Sequence, residues 1–221
     1  LPSVGLVPMG TANDFATAAG IPADDAAAAL QLVREAPPTS IDLLRITCDG
    51  EEHWCANLAS GGFGTEVTVE THETLKSLLG GLAYVVTGLG KLSRIEPQRA
   101  RFSGPDFEWQ GEFIALGIGN GRQAGGGQAL CPDALVDDGL LDLTLVRPAG
   151  RLRLLRLLRL LRLLPRVYRG THTAIAEVET RRVRAVELSS PGVTAYADGD
   201  PIGALPLRVE VVPAALRVFG A

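Results

Sequence analysis

An α/β segment running into an antiparallel all-β domain is the fold class this sequence predicts, and three observations carry the prediction. Residues 1–36 alternate a strand-like run with two helical stretches. "PPTS" at 37–40 then punctuates the chain. From about 41 onward, short strand-like runs recur with Gly, Pro or Asp at the turns, as in a sandwich or barrel. The 221 residues suffice for one large domain, or for a small domain with part of another. A chain 46% hydrophobic and 21% charged is ordinary for a soluble globular protein, which excludes wholesale disorder.

The first element is a strand over 4–7, expected to be buried and ended by Pro8. Gly10 permits a close approach, and Asn13 or Asp14 is placed to cap the helix that follows. Such a turn presents backbone N–H groups and the Thr11 hydroxyl, so it reads either as a phosphate site or as an ordinary capped βα turn. The second helix, "ADDAAAALQLVREA", carries its acids at the start, where the helix dipole favours them. "IDLLRITC" and "HWCANLAS" read as strands joined by a "DGEE" turn, and a helical segment interrupts near 70–92. "QRARFSG", "FEWQGEFIALGIGN", "LLDLTLVRP", "RRVRAVELSS", "VTAYADGD" and "LPLRVEVV" continue the strands.

Between them lies "RLRLLRLLRLLRLLPRVYRG", in which Arg153, Arg156, Arg159 and Arg162 recur every third residue. On a helix they sweep about half the circumference and leave a broad Leu face, with Pro165 expected to end the helix. Two readings stand: a helix laid on the sandwich, or a basic amphipathic helix on an anionic membrane surface.

Charge and cysteine content narrow the function. A formal net charge of −4 argues against a nucleic-acid partner, because neutralising phosphates requires a basic field. Cys48, Cys55 and Cys131 are odd in number and form no C-x-x-C pair, which points to a reducing compartment. No signal peptide is visible, and the chain starts at Leu1 within a strand-like run, so it reads as part of a longer chain. The apolar run 78–90 is bracketed by Lys76 and Lys91 and falls short of the roughly 20 residues a span needs.

Chemistry concentrates in two stretches. "GIGNGRQAGGGQALCPDALVDDGLLDL" (117–143) opens with six glycines in eleven positions. Gly119 and Gly121 imitate a dinucleotide fingerprint, but "RQAGGGQALCP" cannot open the helix that fingerprint requires. The glycines instead mark a loop whose backbone approaches something closely. Asp133, Asp137 and Asp138 ahead of Gly139 form an Asp-Gly turn, a hard-cation site, or both. "YADGDPIGALPL" places Asp198 and Asp200 around Gly199, either as a solvated turn or with a carboxylate serving as general base. His53, His72 and His172 lack metal-ligand spacing, no G-x-S-x-G elbow supports Ser/His/Asp hydrolysis, and Trp54 and Trp109 read as core or rim.

Taken together, "PMGTANDFA", "IDL", "GGFGTEVT", the 117–143 block and "ADGDP…VVPAALRV" resemble the bacterial diacylglycerol-kinase-type lipid kinases, most nearly the YegS lipid kinases. The resemblance implies a two-domain NAD kinase/diacylglycerol kinase-like fold. Residues 1–38 would be the tail of the α/β ATP-binding domain. Residues 39–221 would be the β-sandwich domain, with helical insertions near 70–92 and 151–165. It further implies Gly10 and Thr11 as ATP contacts, Asp14 and Asp42 in an Asp–water–Mg²⁺ network, and a separate metal site from the Leu135 and Leu140 carbonyls with the Asp138 side chain. Mg²⁺ is expected at both sites, with Ca²⁺ the alternative at the second. Asp200 falls where the family has its catalytic Glu, so "DGD" shortens the base by one methylene. The family's upstream "GGDGT" phosphate loop is not in this sequence, and the chain by itself is expected to be inactive without it. The implied substrate is a lipid hydroxyl such as that of phosphatidylglycerol or diacylglycerol, with ATP as donor. The implied setting is the cytoplasm, with transient contact at the inner membrane face through 151–165. An NAD kinase-like enzyme and an inactive lipid-binding protein are the alternatives.

Overall fold

In the computed structural model, which describes residues 3–62, 96–105, 107–148, 162–163 and 165–220, the described residues form thirteen strands, helices at Asp14–Ala18 and Ala26–Glu35, further helical residues at 162–163 and 165–168, and a 3₁₀ turn at His172–Ala174. Along the chain come β1 (Ser3–Val4), α1 (Asp14–Ala18), α2 (Ala26–Glu35), β2 (Thr39–Cys48), β3 (Glu51–Cys55) and β4 (Leu58–Gly62). After them come β5 (Gln98–Gly104), β6 (Phe107–Phe113), β7 (Ala115–Gly119), β8 (Leu141–Val146), β9 (Val178–Val183) and β10 (Ala185–Ser189). The last three are β11 (Thr194–Ala197), β12 (Asp200–Ala204) and β13 (Leu207–Val218).

The strands form two sheets. One runs β3-β2-β13-β10-β5-β6, and β1 adds in parallel at the end of β13, pairing Ser3 with Arg217 and Val4 with Val218. The other runs β12-β11-β4-β7-β8-β9. Every other pairing is antiparallel. Inward residues of both sheets build one core: Leu44, Ile46, Phe102 and Val209 from the first, Leu116, Ile118, Leu141 and Leu143 from the second. This is the sandwich arrangement, in which each strand buries alternate side chains.

Three runs that read as single strands are each two. "HWCANLAS" breaks at 56–57, "FEWQGEFIALGIGN" at Ile114 and "RRVRAVELSS" at Arg184, and each time the chain passes from one sheet to the other. Hydrophobic alternation survives the break because both halves face the same core. The Asp49-Gly50 turn between β2 and β3 is the expected hairpin, with φ of 50° and 82° at its two residues.

Residues 3–38 close a smaller core, in which Ala16, Ala19, Ile21 and Ala29 meet Ile41 and Val218. Asp25 caps α2, its carboxylate accepting from Ala27 N at 3.0 Å and Ala28 N at 2.9 Å. The expected strand over 4–7 is only Ser3–Val4, and Val4 and Val7 are exposed rather than buried. β1 is paired on the β13 side alone among the described residues, so its other side contributes no cover. Residues 165–168 are helical, and the helix that Pro165 was expected to end lies mostly outside the described residues. The fixed φ of proline suits a helix, and its cost falls on the turn before it. The segment near 70–92 and most of 151–165 lie outside the described residues. Among the described residues no helix is long and apolar enough to cross a membrane.

Phe102 anchors the main core. It is fully buried, with Phe113 edge-on at 5.9 Å and Trp109 tilted at 5.1 Å between ring centroids. Phe102→Ala is expected to destabilise the fold by about 3–5 kcal/mol, read as a lowered urea midpoint. A midpoint within experimental error of the parent would show that this aromatic cluster is not the centre of the core.

Candidate functional site

The turn that opens the chain is built by Asn13. Its backbone is left-handed, with φ of 51°, and its side chain turns back rather than capping α1. The carboxamide accepts from Gly10 N at 3.0 Å and donates to Gly10 O at 2.9 Å and Ala23 O at 2.6 Å. Asn13 thus holds the N-cap position without capping, and it leaves Gly10 and Thr11 exposed at the outer edge of the turn.

Asp14, buried at the start of α1, reaches the glycine run. Its two oxygens accept from Gly126 N and Gly127 N, both at 2.8 Å. Gly125, Gly126 and Gly127 all have left-handed φ, 62°, 83° and 90°, which aims successive N–H groups at one carboxylate. The object that this backbone approaches closely is therefore Asp14. Gly119 and Gly121 answer a different need, since a Cβ on Gly121 would lie 2.1 Å from Asn57 Oδ1 and one on Gly119 2.7 Å from Cys131 Cβ.

The loop 120–140 between β7 and β8 is the hub that gathers these groups. Asp42, buried on β2, accepts from Gly139 N at 2.7 Å and from Ala214 N at 2.8 Å, and its own N–H donates to Val136 O at 2.7 Å. Ala214 lies in an interruption of the β2–β13 ladder and has φ of 52°. The fully buried Asn120 donates through Nδ2 to Asp42 O and to Ala56 O, each at 2.8 Å. Arg122 Nε donates to Ala134 O at 3.0 Å, and Asn57 Nδ2 to Gln123 O at 3.0 Å, which ties the loop to itself and to the β3–β4 crossing.

Asp198 forms the far end of the site. It has φ of 49° and is followed by Gly199 at 99°, so the two make the tight β11–β12 turn that carries Asp200. Its carboxylate accepts from Ala56 N at 2.7 Å and from Asn57 N and Leu58 N at 3.0 Å each, and the Cys55 thiol lies 3.3 Å away. Burial, with Asp198 beside it, pushes the Cys55 thiol well above its ordinary range. Asp200 is exposed, at the first position of β12.

At the other end of the loop, Asp138 ion-pairs with Arg182 and accepts from Leu140 N at 3.0 Å. Arg182 also lies 3.4 Å from Asp142, whose buried carboxyl is raised by desolvation more than Arg182 lowers it. Leu135, three residues before Asp138, is exposed.

The donor chemistry can be matched against a hard cation. Each oxygen of Asp14 and Asp42 accepts one backbone N–H and keeps a further lone pair, which fits Mg²⁺ held through water better than a direct shell. Carbonyls of Leu135 and Leu140 with the Asp138 carboxylate are likewise hard-oxygen donors, but Arg182 already occupies that carboxylate. Among the described residues no three His, Cys, Asp or Glu side chains cluster as a metal site.

Sequence reasoning singled out neither Asn120, Asn57 nor Arg182. Cys131 lies within the hub loop, its Sγ 3.2 Å from Asp142 O, and burial pushes its thiol up to about 12. At pH 8 only roughly one part in ten thousand would be thiolate. All three cysteines are buried. Iodoacetamide at pH 8 is therefore expected to leave Cys131 unmodified in the folded protein and to label all three in urea, read by mass spectrometry. Rapid native labelling of Cys131 would show that the loop 120–140 opens in solution.

Comparison with known proteins places this fold in a family. Residues 57–220 match the YegS C-terminal NAD kinase beta sandwich-like domain, and residues 1–46 match the diacylglycerol kinase catalytic domain. A relative from Stenotrophomonas maltophilia described as "Probable lipid kinase YegS-like" is 55% identical over 99% of this chain and 69% of its own length. One of the same description from Pseudomonas aeruginosa is 46% identical over 98% of this chain and 67% of its own. A solved structure described as a diacylglycerol kinase from Bacillus anthracis superposes with TM-score 0.67 at 16% identity, covering 100% of this chain and 67% of that one. Another from the same organism reaches TM-score 0.73 at 18% identity, covering 100% of this chain and 69% of that one. The fold is that of the two-domain diacylglycerol kinase-like proteins, with a YegS-type β-sandwich, and the chain belongs to the YegS-like lipid kinase family.

Proposed function

We propose that the intact protein transfers the γ-phosphate of ATP to a lipid hydroxyl, of the kind carried by phosphatidylglycerol or diacylglycerol. Family membership supports kinase chemistry on a lipid. The observation that carries the reading furthest is the Asp14 clamp on Gly126 and Gly127. It joins the Gly10–Thr11 turn, our assignment for the ATP phosphates, to the loop that also binds Asp42. Phosphoryl transfer rests mainly on positioning and electrostatic stabilisation, and a rigid junction of this kind provides the first.

In this reading Asp200, exposed at the start of β12, takes the proton from the lipid hydroxyl. The hydroxyl oxygen bonds to the γ-phosphorus as the bond to the β-phosphate oxygen breaks, releasing ADP. Asp14 and Asp42 would hold Mg²⁺ through water, and the cation would supply positive charge against the triphosphate. Leu135, Asp138 and Leu140 would form a separate structural cation site for Mg²⁺ or Ca²⁺, with Arg182 giving up its hold on Asp138. The lipid substrate places the protein at the inner face of the membrane in the cytoplasm, with 151–165 as the contact.

One observation favours a second reading, an inactive lipid-binding protein: Asp200 stands where the family has Glu. Radiolabelled ATP with Mg²⁺ and mixed micelles of phosphatidylglycerol or diacylglycerol, with NAD in parallel, separates the readings. Label in a lipid is expected. Label in NADP would move the assignment to an NAD kinase-like enzyme, and liposome binding without turnover would favour the inactive protein. In the same assay Asp200→Ala is expected to lower kcat by roughly 10²–10⁴-fold while ATP binding is kept. Retained turnover would remove Asp200 from the mechanism.

A further inference from the structure

The peptide group between Ala56 and Asn57 is gripped from both sides. Its carbonyl accepts from Asn120 Nδ2 at 2.8 Å, and its N–H, that of Asn57, donates to Asp198 Oδ1 at 3.0 Å. The preceding N–H, that of Ala56, donates to Asp198 Oδ2 at 2.7 Å. The second hydrogen of Asn120 Nδ2 goes to Asp42 O, also at 2.8 Å. A chain of short hydrogen bonds therefore runs from Asp42 through Asn120 and a planar, rotationally stiff peptide to Asp198, two residues from Asp200.

Stability alone does not account for Asn120. It is fully buried, and its Oδ1 has no partner among the described residues, a costly condition for a polar atom. What the side chain provides is two donors at a fixed separation. They fall where β3 stops pairing with β2, since Leu44 opposite Cys55 is the last pair and the chain then turns away toward β4. Asp198 is equally specific. Its left-handed backbone sets the turn, and its carboxylate anchors that turn to three consecutive N–H groups. Asp200 itself has no hydrogen-bond partner through its side chain among the described residues, so its position is inherited from this turn.

We propose that Asn120 and Asp198 are positioning residues, forming a hydrogen-bonded relay that fixes Asp200 relative to Asp42. The inference rests on the reading of Asp200 as base. With a side chain one methylene shorter than Glu, Asp200 has less reach with which to absorb a displaced turn, so the relay carries more weight here. Neither Asn120 nor Asp198 need touch substrate.

The test uses the intact protein with Asn120→Ser, Asp198→Asn and their combination. Each variant is checked for folding by its thermal transition, and Asp198→Asn, at an exposed position, serves if Asn120→Ser does not fold. Both single variants are expected to lower kcat by roughly 10-fold to 100-fold with KM for ATP within about twofold, and the double variant to be no slower than the worse single one. Unchanged kcat in either folded variant, or multiplied losses in the double, would overturn the relay. The amide resonances of Gly199 and Asp200 give a readout independent of catalysis: Asn120→Ser is expected to shift both, although it contacts neither. If they stay in place, the relay is wrong whatever the role of Asp200. If they shift while Asp200→Ala keeps turnover, the relay stands and only the assignment of the base fails.

Discussion

The chain crosses from one sheet to the other at Ala56 and Asn57, and that crossing leaves backbone groups that no strand can pair. A buried N–H without an acceptor costs about as much as a lost hydrogen bond, so the crossing exists only if something else satisfies it. The Asp198 carboxylate takes three N–H groups there, and Asn120 takes the carbonyl that would otherwise face nothing. β3 then ends cleanly in one sheet, β4 begins in the other, and the β11–β12 turn is pinned where both meet. A single polar junction thereby sets the sandwich corner and one edge of the candidate site.

The same economy recurs at the hub loop. Carboxylates that the family resemblance assigns to metal or nucleotide work also hold backbone: Asp14 binds the glycine run, Asp42 binds Gly139 and Ala214, and Asp138 binds Leu140 N. An acid hydrogen-bonded to fixed N–H groups is oriented before any ligand arrives, which lowers the ordering cost of binding. Burial supports this, since Asp14, Asp42 and Asn120 are all buried beneath the loop.

Much of this was legible in the sequence, for physical reasons that can be named. Alternating runs with turn residues between them fixed the strands from 39 onward, and "DG" at 49–50 located a hairpin. The density of glycine and aspartate in 117–143 marked the loop at which the site gathers. What escaped was long-range. Alternation continues through Ile114 and Arg184 because both sheets face one core, so the points at which strands change sheets leave no periodic trace. The partner of a carboxylate is equally invisible: Asp14 read as a cap or ligand, whereas its nearest donors lie 112 and 113 residues away. Asn120 was overlooked because a single carboxamide carries no pattern at all.

β13 has a property of a different kind. One length of it is paired with β10 and β2 in the sandwich, while its end pairs with β1 and packs on the cluster formed by α1 and α2. The two lengths are joined through residues 213–215, where the ladder with β2 is interrupted and Ala214 is left-handed. Among the described residues, the side chain that fastens this joint is Asp42, through Ala214 N. The Asp42 carboxylate therefore spans the break in this ladder, between the Val212–Leu43 pair on one side and the Leu216–Ile41 pair on the other.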